Sequence, residues 1–219
     1  MKNKIITISG LDGAGKSSII SGTIQLAQEN NIPLITKWCS YELILLRPFI
    51  RLAQKIYLRK TDQFKDFKGY SASINHLSEN KLLSKTYEYF TLIEYILQIF
   101  FKIALPRYFS KKSILCDRYY YDVLVSLAVT LSYPDEKFKR KVRFYSHFFP
   151  RPDISFFLDI DENVAFSRKK DIPSVDYLKQ RKKYYLTLMN ILPIRVLNGE
   201  SPVQLNAEYI FKKLIGDGA

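Results

Sequence analysis

Residues 10–17, Gly10-Leu11-Asp12-Gly13-Ala14-Gly15-Lys16-Ser17, follow directly on the apolar run Ile5-Ile6-Thr7-Ile8 and lead into a segment, Ser18 to Glu29, that suits a helix. Few stretches of eight residues restrict a fold as tightly. The spacing G-x-x-x-x-G-K-[ST] between a strand and a helix builds a loop whose glycines turn backbone N–H groups inward, toward phosphate oxygens. Lys16 adds a point charge, Ser17 offers a hydroxyl oxygen to Mg²⁺, and the helix entered at Ser18 adds the positive end of its dipole. A nucleoside triphosphate is the expected ligand of this loop and of Ser18 behind it.

The rest of the chain alternates strand and helix patterns. Pro33 to Trp38 reads as a second buried strand, and Ser113-Ile114-Leu115-Cys116, Pro152 to Asp159 and Pro193 to Asn198 as three more. Between them lie helical patterns at Tyr41–Leu58, with Pro48 as a kink or start, and at Lys81–Phe109, Asp122–Ser132, Glu136–Phe149 and Val203–Ile215. Residues 60–80 lack periodicity and read as a mobile loop. Alternation of this kind predicts an α/β fold, a five-stranded parallel sheet with helices on both faces, and 219 residues fit one such domain.

The strand at Ser113–Cys116 ends in Asp117-Arg118-Tyr119-Tyr120-Tyr121-Asp122. Ligands gather at the carboxyl ends of parallel strands, so Asp117 is placed to approach the Mg²⁺ held by Ser17, and Arg118 to reach a second phosphate group. The structural alternative is an Asp–Arg pair capping the next helix. A dense cationic stretch, Arg168-Lys169-Lys170, precedes Pro173 and then Lys179, Arg181, Lys182 and Lys183. A short basic lid at 168–176 would close charge over reacting phosphates.

The net charge of +13 leaves two readings open: anionic partners, nucleotide phosphates at least and an acidic membrane surface or nucleic acid beyond them, or charge that keeps a Tyr/Phe-rich chain soluble; nucleic acid ranks last because the cations are dispersed rather than set in an aromatic stripe. Cys39 and Cys116 form no metal-type pair and read as reduced core thiols of a cytoplasmic protein, and Met1 to Lys4 leave no room for a leader before the first strand. Leu92 to Leu105 is apolar but short for a bilayer; Glu94, Gln98 and Lys102 share one helical face while Ile93, Ile96, Leu97, Phe100 and Phe101 cover the rest. That pattern predicts a buried helix with one polar edge.

Together the phosphate loop, Asp117-Arg118-Tyr119, Pro152-Asp153 with Leu158-Asp159-Ile160, and the basic lid resemble, in order along nearly the whole chain, the thymidylate kinase family of nucleoside monophosphate kinases. The resemblance implies a P-loop three-layer sandwich, ATP as donor, Mg²⁺ as cofactor, and transfer of the γ-phosphoryl to a nucleoside monophosphate such as dTMP. It also implies roles: Lys16 on the donor phosphates, Asp12 beside the acceptor, Asp117 near the metal, Arg118 on the acceptor. With Ala14 in the loop and no arginine there, the lid supplies the catalytic arginine, Arg168 first, with Lys169, Lys170 or Arg181 in support. A homodimer is a further expectation of the family.

The acceptor half departs from that pattern. Trp38-Cys39-Ser40-Tyr41 stands where the family has an Arg-Glu-Pro-Gly-like run, and the long helix lacks its acceptor-gripping arginine. Glu94, Tyr95 and Gln98 are the expected acceptor contacts, suited to hydroxyls or a base edge. Arg47, Arg51 or the segment Lys60–Lys68 could instead supply a cation. Two other functions stay open at this point: a kinase of a nucleoside or other hydroxylated molecule, and a non-catalytic ATP-binding accessory protein.

Overall fold

The computed structural model describes residues 3–42, 81–110, 112–169 and 171–216. Most of the helix expected at Tyr41–Leu58, the loop expected at 60–80, and Lys170 of the lid lie outside the described residues. In chain order the elements are β1 (Ile5–Gly10), α1 (Lys16–Glu29), β2 (Leu34–Trp38), α2 (Lys81–Ile99), a π-helical turn (Phe100–Ala104) running into α3 (Leu105–Phe109), β3 (Ser113–Asp117), α4 (Tyr120–Thr130), α5 (Asp135–Tyr145), β4 (Ile154–Asp159), α6 (Glu162–Arg168), α7 (Val175–Met189), β5 (Ile194–Asn198) and α8 (Val203–Ile215).

The five strands form one all-parallel sheet in the order β2-β3-β1-β4-β5. β1 lies at its centre with every residue buried, which is why its sequence is a continuous apolar run. Side chains alternate across β4: Ser155 meets the Tyr121 hydroxyl at 2.9 Å and Phe157 packs on Tyr185 with ring centroids 4.9 Å apart, while Phe156 between them turns to Tyr209. The strand period of two therefore puts α4 and α7 on one face of the sheet and α8 on the other, where α1 packs against α8.

Two expectations change. Pro33–Trp38 reads as a buried strand, but β2 is an edge strand paired on one side only, and Trp38 is 53% exposed. The second concerns α2. Its polar edge is the buried edge: Glu88, Glu94 and Gln98 are turned inward beside Leu92, Tyr95, Ile99 and Ile103, whereas Ile93, Leu97, Phe100 and Phe101 face outward. Spacing assigns residues to faces without saying which face is wet, and here partners inside the fold decide. Tyr133 donates to Glu88 Oε2 at 2.5 Å, Lys141 to its other oxygen, and Tyr41 to Glu94 Oε2 at 2.8 Å. The apolar stretch is also longer than Leu92–Leu105: Ser84–Phe109, 26 residues, has the length and composition to cross a bilayer. Its inward carboxylates bind it to the turn between α4 and α5, to α5 and to the chain after β2.

Candidate phosphate-binding site

A cavity of about 730 Å³ opens where β1 and β3 end, at the point from which the chain leaves toward opposite sides of the sheet. The 10–17 loop forms its floor. Gly13 (φ 84°) and Gly15 (φ 94°) take left-handed backbone conformations that a side chain would strain, and Gly15 sets the first turn of α1. A Cβ on Gly13 would lie 2.1 Å from the Ala165 carbonyl oxygen, so α6 docks directly on the loop. One turn further along α6, Arg168 reaches the cavity and donates Nη1 to the Gly199 carbonyl at 3.2 Å.

Lys16 is folded onto its own loop, donating Nζ to the Gly10 and Leu11 carbonyls at 3.0 and 2.7 Å. Burial, and then the Arg118 charge, push its pKa down to about 7 against the opposing pull of Asp12, Asp122 and Asp117. Facing it, Asp117 ends β3 with Oδ1 buried and without a partner among the described residues. Burial raises the Asp117 carboxyl above the usual range, with Lys16 and Arg118 opposing. An orphaned carboxylate oxygen and the Ser17 hydroxyl, both in the lining of this cavity, are hard oxygen donors that fit Mg²⁺, which takes one or two protein ligands and completes its shell with phosphates and water. No group of three His, Cys, Asp or Glu among the described residues makes a cage for a metal, so Ser17 and Asp117 are the donors on offer.

Arg118 sits in the left-handed region at φ 67°, which turns its side chain back over the loop. Nη2 is bonded to Asp12 Oδ1 and Nη1 to Asp122 Oδ1 at 3.1 Å. Burial alone would raise the Asp12 carboxyl, but Arg118, Lys16, Arg181 and Lys169 together hold it below the usual carboxylate range. Asp122 Oδ2 also accepts the Tyr119 N–H at 3.0 Å, which starts α4 as a helix cap does, two residues before the expected position. The capping reading and the site reading of Asp117-Arg118 thus divide between residues: Asp122 caps, Asp117 faces the cavity.

The loop residues, Ser18, Asp117, Arg118, Arg168 and Lys169 come together as expected from sequence. Of the five residues expected on the acceptor side, Asp12 and Arg118 line the cavity, and the three on the long helix do not. Tyr95 is fully buried and donates to the Cys39 carbonyl at 2.6 Å, Gln98 brackets the Glu42 backbone, and Glu94 accepts from the Tyr41 hydroxyl at 2.8 Å. None of the three lines the cavity; Tyr87 and Thr91, on the preceding turns of α2, do. Arg47, Arg51 and Lys60–Lys68 lie outside the described residues. Sequence reasoning passes over Ser126 and gives Arg181 only a supporting part. The signal was available: Leu178, Arg181, Tyr185 and Leu188 keep the 3-4-3 spacing of a buried stripe, and an arginine in such a stripe points inward.

No protein-family model matches the chain, and no curated protein matches it in sequence.

Proposed function

We propose that the protein is an ATP-dependent phosphotransferase of the P-loop three-layer class that moves the γ-phosphoryl of ATP onto a nucleoside monophosphate, dTMP or a related nucleotide. The observation that carries this reading is the pairing of a phosphate loop, closed on itself by Lys16, with the unpartnered Asp117 oxygen across the same cavity. Phosphate oxygens would replace the Gly10 and Leu11 carbonyls as the partners of Lys16. Mg²⁺, held by Ser17 and through water by Asp117, would supply charge neutralisation on the donor phosphates. Arg168, at the end of a helix docked on the loop, would close over the transferring group.

Transfer between phosphates needs alignment and charge neutralisation rather than a strong base. Asp12, held ionised by four cations and bonded to Arg118, is a weak base, which favours a phosphate acceptor over a hydroxyl. The apolar face left open on α2 supports the expected homodimer. The test is ADP formation from Mg·ATP in the wild type and in Lys16→Ala: loss by about 10³-fold or more with an unchanged melting profile is expected. Equal rates would refute the assignment.

A further inference from the structure

We propose that Arg181 on α7, and not Arg118, is the residue that selects a phosphorylated acceptor. The word acceptor rests on the phosphotransferase reading; the anion site itself rests on geometry.

Arg181 lines the cavity and is only 4% exposed, yet it makes no ion pair among the described residues. Its contacts are neutral oxygens: Nη1 donates to Ser126 Oγ at 2.9 Å and to the Tyr177 hydroxyl at 3.1 Å, and Nη2 to the Tyr185 hydroxyl at 3.4 Å. Nε is buried and has no partner among the described residues. Nη1 is therefore anchored, while the Nε–Nη2 edge, the fork that matches two oxygens of a phosphate, carries one long bond. The Arg181 Cζ also lies 5.6 Å and 6.0 Å from the Tyr177 and Tyr185 ring centroids, and the Asp12 and Asp122 charges act on it from beyond bonding distance. With no carboxylate bonded to it among the described residues, this buried guanidinium is an arrangement that a bound anion would complete.

Among the described residues that line the cavity, the other cations each have a partner. Arg118 is held by Asp12 and Asp122 on both terminal nitrogens. Lys16 belongs to the donor loop, Arg168 is bonded to Gly199, and Lys169 pairs with Asp171 at 3.3 Å. The α2 wall contributes Tyr87 and Thr91, neither of them charged. Tyr185 links the two arginines, accepting from Arg181 and donating to Asp122 Oδ1 at 2.6 Å, so the carboxylate that occupies Arg118 also orients the hydroxyl beside Arg181. Arg181 thus takes the place of the cation missing from α2.

The test is calorimetric binding of dTMP, dUMP, dCMP, dGMP and UMP, each against its own nucleoside, to the full chain and to Arg181→Gln and Arg181→Lys, with ATP binding and ADP formation measured on the same samples. For the best-bound pair, the wild type should prefer the monophosphate by about 100-fold, and Arg181→Gln should reduce that ratio to about threefold or less while ATP affinity stays within about twofold. Arg181→Lys, which keeps the charge but loses the fork, should cost about tenfold in the ratio, and it decides the matter if the Gln variant does not fold. An unchanged ratio in the folded variants, or a wild type that prefers no monophosphate, would overturn the proposal. A monophosphate preference that depends on Arg181, without ADP formation, would leave the proposal standing and contradict the phosphotransferase reading.

Discussion

Tyr185 donates its hydroxyl to Asp122 Oδ1 at 2.6 Å, and the Asp122 carboxylate also takes the Ser9 hydroxyl at 2.6 Å, the Tyr119 N–H at 3.0 Å and Arg118 Nη1 at 3.1 Å. One buried side chain thereby joins β1, α4 and α7 beneath the cavity. Asp122→Ala would leave Arg118 and Tyr185 buried without that acceptor, at a cost of about 3–5 kcal/mol, which lowers the melting temperature by roughly 10 °C for a chain of this size. Thermal unfolding followed by circular dichroism measures it; a shift under about 2 °C would show that the network is not structural.

Lys16 predicts a proton linkage. Its amine titrates near 7 in the free protein, and bound phosphate should return it to the charged form. ATP binding at pH 8 should therefore take up a proton, approaching one per site, and at pH 6 almost none. Calorimetry in buffers of different ionisation heat reads this directly, and an uptake that persists in Lys16→Ala would assign the proton elsewhere. For folding the sign is opposite, because folding releases the proton that ATP binding takes up. The unfolded amine, at 10.5, binds more protons than the folded one, so this group adds stability to the free protein as pH rises from about 7 toward 10.5.

Gly13 joins two parts of the site. At φ 84° and with the Ala165 carbonyl 2.1 Å from where a Cβ would stand, Gly13→Ala must push α6, and Arg168 with it, off the loop. ATP affinity should fall by about tenfold or more, with a smaller effect on melting because the strain is local. Isothermal titration checks it; wild-type affinity would mean that α6 does not rest on the loop in solution.

The open face of α2 makes a prediction about assembly. Ile93, Leu97, Phe100 and Phe101 stand next to one another on it, each at least 43% exposed. Leu97→Lys with Phe101→Lys should halve the mass seen by light scattering while moving stability by less than about 1 kcal/mol, since neither side chain is in the core. A wild type that is already monomeric would remove the homodimer from the account.

The phosphate-loop side of the cavity was legible from sequence because its geometry is local: eight consecutive residues set the loop, and Asp117 follows from being the last residue of a strand. The parallel sheet was legible from its apolar runs. The side of the cavity formed by α2, α4 and α7 was not, because it is built from side chains whose facing is decided by distant partners. Glu94 and Gln98 occupy one helical face in the sequence, but Tyr41 and Glu42 draw that face inward and use it up. Arg118 looked free to hold a ligand until Asp12, more than a hundred residues earlier, proved to hold it. Arg181 lay among lysines and read as lid charge; its neighbours Tyr177, Tyr185 and Ser126 bury it.

The most direct measurement is ADP release by the purified chain with Mg·ATP and, separately, dTMP, dUMP, dCMP, dGMP, UMP and thymidine, against a blank without acceptor. The account predicts turnover that depends on at least one monophosphate, exceeds that with thymidine, and disappears in Lys16→Ala. ATP binding with no acceptor-dependent ADP release from any of the five monophosphates would contradict it.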